Sequence, residues 1–282
     1  MLMRHALETI STSIATECGV EVGGRRGAKV QDSHAIARET GGVIDMRRAF
    51  SESANVYFTK AVFERFHENP VEFSDFCRKL HLHKTVGLEE LGARKKPLPH
   101  LDKKHHSRYN ALVNMAYGYG LEVTPLHTIA IYNAVANNGR MVAPRLILRT
   151  ERDGKVVSEA PVRVIEERIC KQSTIDTLRS FMEEVSLTGT AAEFFGEKKC
   201  SFRTGSKTGT AQVSSGTPNG IFVGFAPIEN PQIAVVAIVE HGDSGTAVAN
   251  IVKPILEEYF DISEEGTVSI EKTEIIEPSI IY

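Results

Sequence analysis

The stretch Arg203 to Val213, RTGSKTGTAQV, places a lysine directly before Thr208-Gly209-Thr210 inside a segment that is predicted to form a strand. A glycine within a strand weakens it and is typical of places where another group approaches the backbone closely. A substrate lying alongside as an extra strand is one such group. Lys207 would add positive charge, while Thr208 offers a hydroxyl and Thr210 a backbone N–H to a carboxylate or carbonyl. Alone, the motif is more typical of a surface hairpin with a Gly-Thr-Gly turn.

A second element lies far upstream, in SESANVYFTKAVFERF (residues 51–66), where Ser53 and Asn55 open an apolar segment of helical period. A hydroxyl and an amide two residues apart at a helix start can face one cleft, where the hydroxyl passes a proton and the amide holds a peptide carbonyl. The competing interpretation is helix capping, because Ser51 and Ser53 both suit an N-cap position.

Taken in this order, Ser53-Ala54-Asn55 and Lys207-Thr208-Gly209-Thr210 resemble the transpeptidase domain of class B penicillin-binding proteins, the enzymes that cross-link peptidoglycan. The run GYGLEVTPLHTIAIYNAVANNGRMVAP (residues 118–144) is similar to the family segment in which G-x-G and T-P-L precede a helix ending in A-N-x-G. Gly189-Thr190-Ala191 resembles its G-T-A. The resemblance covers roughly residues 1–260, and we expect one transpeptidase domain over 1–262 with an acidic tail over 263–282.

The resemblance implies an α/β (α+β) fold of the penicillin-binding-protein and β-lactamase type, with an antiparallel sheet flanked by helices. It implies catalytic roles for Ser53, Asn55 and Lys207 and substrate binding by Thr208, Gly209 and Thr210. The implied substrate is a D-Ala-D-Ala stem peptide, with β-lactams as inhibitors and no cofactor or metal. The parent protein would face the outside of the bacterial cytoplasmic membrane, with membrane proteins of cell division or elongation as partners.

The nucleophile of the family is the serine of an S-x-x-K motif that precedes Ser-x-Asn, at a distance that here falls just before Met1. The opening MLMRHALETISTSI keeps a helical period from its first residue and has no capping residue ahead of it. We therefore expect the chain to begin inside the nucleophile helix and to be inactive as written. Ser269-Ile270-Glu271-Lys272 fits S-x-x-K, but it follows K-T-G in the acidic tail, and we expect no catalytic role for it.

Two other functions fit the same residues. A D,D-carboxypeptidase or serine β-lactamase would use water in place of the acceptor amine, although the T-P-L and A-N-x-G segment favours the transpeptidases. A non-catalytic homologue would bind stem peptides or division partners without turnover. An in-frame P-G-S-x-x-K encoded directly upstream would indicate a truncated enzyme, and its absence would favour the non-catalytic homologue.

Composition excludes several other classes. The chain has 282 residues, 41% of them hydrophobic, and a net charge of −3, which indicates a soluble globular protein without a nucleic-acid-binding surface. No signal peptide and no apolar run of about 20 residues is present in the sequence. The four cysteines lack C-x-x-C spacing, and the pairs His81 with His83 and His105 with His106 lack companion ligands. We expect solvated loop histidines there and no metal site.

Periodicity and turn signals predict the elements that would carry these motifs. The hairpin is expected to turn at Asp153-Gly154, and Thr124, Pro125 and Gly139 are suited to start and end one helix. The strand of Lys207 is expected to be the outer one of three antiparallel strands, with its edge open to a peptide. The predicted helices span residues 1–15, 53–67, 71–80, 125–138, 171–185 and 247–260, and the hairpin spans 146–157. The strands after Lys207 span 221–226 and 233–240, a loop or short irregular strands span 23–42, and a loop spans 94–108.

Overall fold

Eight helices and a central three-stranded sheet are present in a computed structural model that describes residues 14–15, 20–22, 28–30, 32, 43–87, 97–102 and 108–260. Helices of similar position in the sequence were predicted for five of the eight. In chain order the helices are α1 (Met46–Ser51), α2 (Asn55–Phe66), α3 (Val71–Lys79), α4 (Arg108–Ala116), α5 (Pro125–Ala136), α6 (Gln172–Leu187), α7 (Ala192–Phe195) and α8 (Gly245–Tyr259).

The central sheet has three antiparallel strands, and Lys207 lies on an outer one, as predicted. The middle strand is almost entirely buried, since it is covered on both faces and paired on both edges. Lys207 is opposite Val223 in the register. Within the described part of the chain, no strand pairs with the outer edge of either flanking strand. The sheet order is β11 (Ile233–Val239), β10 (Asn219–Ala226), β9 (Gly205–Ala211).

Four two-stranded antiparallel sheets lie outside this sheet among the described residues. The hairpin predicted at Asp153-Gly154 is confirmed, with positive φ of 52° and 70° at these residues, as a type I′ turn requires. The pairs are β1 (Ile14–Ala15) with β4 (Val43–Ile44), β2 (Val20–Val22) with β3 (Ala28–Val30), β5 (Met141–Val142) with β8 (Val164–Glu166), and β6 (Arg149–Arg152) with β7 (Lys155–Glu159).

The two faces of the sheet contribute to different apolar clusters. Phe222 of β10 packs with Val248 and Val252 of α8, whereas Phe225 packs with Ile175 and Met182 of α6. A third cluster joins helices α2, α3 and α4 away from the sheet. An antiparallel sheet with helices on both faces confirms the predicted α/β (α+β) class.

Helix α5 starts where its sequence signals predicted and ends at Ala136, shortly before the predicted end at 138. The Thr124 hydroxyl accepts a hydrogen bond from the His127 N–H at 3.3 Å, and Pro125 occupies the first helical position. Gly139, with φ of 92°, donates its N–H to the Ala134 carbonyl at 2.7 Å. A left-handed residue after the last turn satisfies a carbonyl that would otherwise lack a partner.

Some predicted elements differ from the structure. The helix predicted over 1–15 is wrong at its end, because Ile14 and Ala15 pair as a strand with β4; residues 1–13 lie outside the described residues. Helices α1, α4 and α7 were not predicted. The acidic tail over 263–282 also lies outside the described residues. In the parts of the chain that the structure covers, no helix is both long and apolar enough to cross a membrane.

Helix α8 approaches the back of β9 at a glycine. A Cβ on Gly245 would lie 2.5 Å from the Gly209 nitrogen and 2.3 Å from the Ile221 carbonyl oxygen, closer than real Cβ atoms come. A Cβ on Gly209 would meet only the Ile221 Cβ, at 3.5 Å, which is ordinary contact. Gly245 therefore lets α8 approach the backbone of Gly209 from behind the strand.

We predict that Gly245→Ala destabilises the protein by roughly 1–3 kcal/mol, because α8 has to move away from β9. Alanine favours a helix over glycine, so intrinsic propensity acts in the opposite direction. Guanidinium unfolding at 25 °C measures the effect, and Gly209→Ala is the matched control with a smaller expected change. Equal stability of G245A and wild type would contradict the prediction.

Candidate active site

The two sequence motifs meet in one hydrogen bond. The Lys207 Nζ donates to the Ser53 Oγ at 2.8 Å, although 154 positions separate them along the chain. The same Nζ donates to the Thr208 carbonyl at 2.9 Å and lies 5.9 Å from the centroid of the Phe50 ring. The lysine is thereby held over an aromatic face with its ammonium directed at a serine hydroxyl.

Ser53 reaches this position through an unusual backbone conformation. Its φ is 58°, in the left-handed region, which costs an L-residue about 1–2 kcal/mol. The turn between α1 and α2 is held by bonds from the Ser53 N–H to the Phe50 carbonyl at 3.3 Å and from the Ala54 N–H to the Ala49 carbonyl at 2.8 Å. Strained residues of this kind concentrate at functional sites.

The alternative role of these serines as helix caps is wrong. Helix α2 has no side-chain bond from its N-cap residue, Ala54, and its Val56 N–H donates instead to the Asp32 carboxylate at 2.9 Å. The Ser51 hydroxyl donates to the Arg48 carbonyl at 3.1 Å. The side chain of Ser53 is thus free of a capping role and is engaged with Lys207.

The remaining predicted residues lie along β9 and at the start of α2. Asn55 is the first residue of α2 and is half-buried. Thr208 is buried, and its Oγ1 lies 2.6 Å from the Oγ1 of Thr190. Thr210 is exposed, and because peptide groups alternate along a strand, its N–H points to the same side as the Thr208 carbonyl. Of the predicted residues, hydrogen bonds directly join Ser53, Lys207 and Thr208.

Burial changes the acidity of Lys207. Removing the ammonium from water lowers its pKa from 10.5 to about 8. At pH 7 roughly one molecule in ten then carries a neutral amine, which is far more than for a solvated lysine. A lysine whose pKa lies near neutral pH and whose amine is hydrogen-bonded to a hydroxyl can accept or donate a proton through that hydroxyl.

Three residues at the site had no role assigned from the sequence. Thr190 contacts Thr208, the Thr246 hydroxyl donates to the Thr190 carbonyl at 2.9 Å, and the Tyr119 hydroxyl accepts from the Gln212 N–H at 3.3 Å. All three contacts join distant segments, so no local pattern reports them. The sequence signals were the likeness of Gly189-Thr190-Ala191 to a family motif and the position of Tyr119 within the G-x-G of the segment 118–144.

One histidine prediction is corrected. His81 is not a solvated loop residue, since its Nε2 bonds to the Glu166 carboxylate at 2.9 Å and its side chain is 17% exposed. His105 and His106 lie outside the described residues. Within the described ranges, no group of three or more histidine, cysteine, aspartate or glutamate residues could hold a metal ion.

The sequence of this chain is similar to a known protein family. Residues 21–257 match the penicillin binding protein transpeptidase domain. The chain is 28% identical over 202 residues to peptidoglycan D,D-transpeptidase FtsI of Buchnera aphidicola, and the aligned region covers 68% of this chain and 33% of that protein. It is 24% identical over 270 residues to penicillin-binding protein 2A of Bacillus subtilis, covering 84% and 37%. The chain thus spans about a third of the length of these relatives.

Solved structures share the fold. Penicillin-binding protein A of M. tuberculosis, in its penicillin G acyl-enzyme complex, superposes with a TM-score of 0.74 at 19% identity, covering 92% of this chain and 58% of that one. PBP2 of Pseudomonas aeruginosa in complex with WCK 5153 gives 0.76 at 22% identity, covering 97% and 59%. PBP2 of Helicobacter pylori, in complex with MreC, gives 0.73 at 21% identity, covering 93% and 47%. At these identities the likeness concerns the fold alone.

The buried ammonium gives a pH-dependent stability that can be measured. Between pH 8 and 10.5 the unfolded chain binds more protons at Lys207 than the folded one, so the cost of burial is complete below pH 8 and disappears toward pH 10.5. We expect Lys207→Met to be more stable than wild type at pH 7, by on the order of 2 kcal/mol, with the difference shrinking as the pH rises.

Guanidinium unfolding followed by far-UV circular dichroism from pH 7 to 10.5 provides this test. Other titrating groups are common to both proteins, so the difference between them isolates Lys207. Lys155→Met, on the exposed β6–β7 hairpin, is the control and should show no such pH dependence. A stability difference between K207M and wild type that stays constant with pH would refute a lowered pKa for Lys207.

Proposed function

Since this chain belongs to the penicillin-binding protein transpeptidase family, we propose that it forms the D,D-transpeptidase domain of a class B enzyme that cross-links peptidoglycan. The observation that carries the proposal is the 2.8 Å bond between the Lys207 ammonium and the Ser53 hydroxyl, beside the edge of β9 with which no described strand pairs. A single domain over residues 1–262 remains part of the same proposal.

The substrate is a stem peptide ending in D-Ala-D-Ala, which lies along β9 as an added strand. Main-chain bonds to a sheet edge give affinity, and side chains at its rim give specificity. The Thr208 hydroxyl and the positive charge of Lys207 receive the terminal carboxylate. Gly209 leaves the strand without a side chain between Thr208 and Thr210. The exposed Thr210 N–H donates to the oxygen of the carbonyl that is attacked.

The reaction is an acyl transfer in two steps. A serine hydroxyl adds to the carbonyl between the two D-alanines, the bond to the last D-alanine breaks, and its nitrogen takes up a proton as it leaves. The amine of a second stem peptide then takes the acyl group and loses a proton. Ser53 and Lys207 pass these protons, and Asn55 holds the backbone of the acyl donor. The acyl group is carried by the serine of an S-x-x-K motif, which the family places ahead of Ser53.

Inhibitors, partners and location follow from the same family. β-lactams would occupy the stem-peptide cleft, in line with the penicillin G complex of the M. tuberculosis relative. A membrane protein of elongation or division would bind the parent enzyme, in line with the MreC complex of the H. pylori relative. The parent enzyme would act at the outer face of the bacterial cytoplasmic membrane.

Stereospecific peptide binding tests the proposal without requiring turnover. In NMR shift titrations of the 282-residue chain, we expect diacetyl-L-Lys-D-Ala-D-Ala to bind at least about tenfold more tightly than its L-Ala-L-Ala isomer. Lys207→Met should remove most of this preference, and Lys155→Met should leave it unchanged. Equal binding of both isomers by wild type would overturn the proposed function.

Fluorescent penicillin and mass spectrometry test the assigned roles separately. We propose that Ser53 passes protons and is not acylated. A penicilloyl group found on Ser53 would make it the nucleophile and contradict this role, whatever the outcome of the peptide titrations.

A further inference from the structure

Thr190 lies at a junction of three elements. Its N–H donates to the carbonyl of Ser51 at the end of α1, at 3.2 Å. Its hydroxyl lies 2.6 Å from the hydroxyl of Thr208 on β9, and its carbonyl accepts from the Thr246 hydroxyl at the start of α8. One half-buried residue therefore connects the Ser53 turn, the K-T-G strand and the helix behind that strand.

The backbone around Thr190 leaves its side chain little freedom. A Cβ on the preceding Gly189 would come within 2.5 Å of the Ser51 carbonyl oxygen, so the two segments are in direct contact. Ala191, which follows, is fully buried and donates its N–H to the Val185 carbonyl at 3.1 Å. The contacts of Gly189 and Ala191 thus fix the backbone on both sides of Thr190 and hold its hydroxyl against Thr208.

Either hydroxyl of this pair can be the donor, and a carboxylate bound at Thr208 would decide which one donates. Each hydroxyl has one proton, and a carboxylate can only accept hydrogen bonds. When Thr190 donates to Thr208, the proton of Thr208 is available for a carboxylate, and bonds in such a chain strengthen one another. Without the Thr190 hydroxyl, Thr208 can rotate toward other acceptors and would not be held in the donating orientation.

We propose that Thr190 is a positioning residue, which orients the Thr208 hydroxyl toward the terminal carboxylate of the stem peptide without touching the peptide itself. The inference rests on the proposed function, because it requires that Thr208 binds that carboxylate. It adds a residue outside both sequence motifs to the determinants of carboxylate recognition, and it links that recognition to the Ser53 turn through the Ser51 carbonyl.

The test compares diacetyl-L-Lys-D-Ala-D-Ala with the same peptide carrying a C-terminal amide, in NMR titrations of the full chain. Wild type should prefer the acid. Thr190→Val, which keeps the shape and removes the hydroxyl, should weaken binding of the acid about fivefold and leave binding of the amide unchanged. Thr190→Ser should restore the preference. Thr188→Val, an exposed threonine two residues away, is the control and should behave as wild type.

A double-mutant cycle separates positioning from general loosening of the site. If Thr190 acts through Thr208, Thr190→Val should add no further loss of acid preference in a Thr208→Val background. Thr190→Ala replaces Thr190→Val if the valine variant does not unfold cooperatively on heating.

The outcomes distinguish the two proposals. If wild type does not discriminate acid from amide, carboxylate recognition at this site is disproved, and the role of Thr190 falls with it. Suppose that wild type prefers the acid and that Thr208→Val loses this preference. If Thr190→Val then retains the preference, or if the losses caused by Thr190→Val and Thr208→Val add in the double variant, the positioning role is overturned and the proposed function stands.

Discussion

The bond between Lys207 and Ser53 determines how the rest of the site is arranged. It fixes the end of a helical segment against the outer strand of the sheet, and a serine in a strained left-handed conformation maintains it. Both the strain and the burial of the ammonium oppose folding. The surrounding packing has to offset them, and it does so with Phe50 beneath the lysine and with close backbone contacts at Gly189 and Gly245. Strained or buried charged residues that the surrounding structure holds in place are typical of functional sites, where chemistry is selected over stability.

The glycines near the site illustrate how the frame is built. Each allows two backbone segments to touch where any side chain would force them apart, α8 against β9 in one case and the end of α1 against the Thr190 segment in the other. These contacts surround the two threonines and the lysine from behind, while the outer edge of β9 stays open among the described residues. Rigidity on one side and access on the other are the combination that an added peptide strand requires.

Much of this arrangement could be predicted from the sequence, and the failures have physical causes. Helix α5 was predictable because its start and stop signals are local, and so was the hairpin turn at Asp153-Gly154. Helix α1 was missed because it has only six residues and lies in a polar stretch, where tertiary packing of Met46 and Ala49 stabilises it. Ile14 and Ala15 were assigned to a helix because pairing with β4 leaves no periodic trace in two residues. The motif residues were identified from order and spacing, but the φ of Ser53 and the bond of Thr190 to Thr208 depend on contacts that no local pattern encodes.

The far side of the sheet has a different consequence. Strand β11 reads IAVVAIV, with no charge and no proline, and in the described part of the chain nothing pairs with its outer edge. Natural proteins commonly protect such edges with lysines, prolines or bulges, because bare apolar strands recruit one another. The apolar sequence of β11 therefore suits pairing with a further strand, from another segment of the protein or from another molecule.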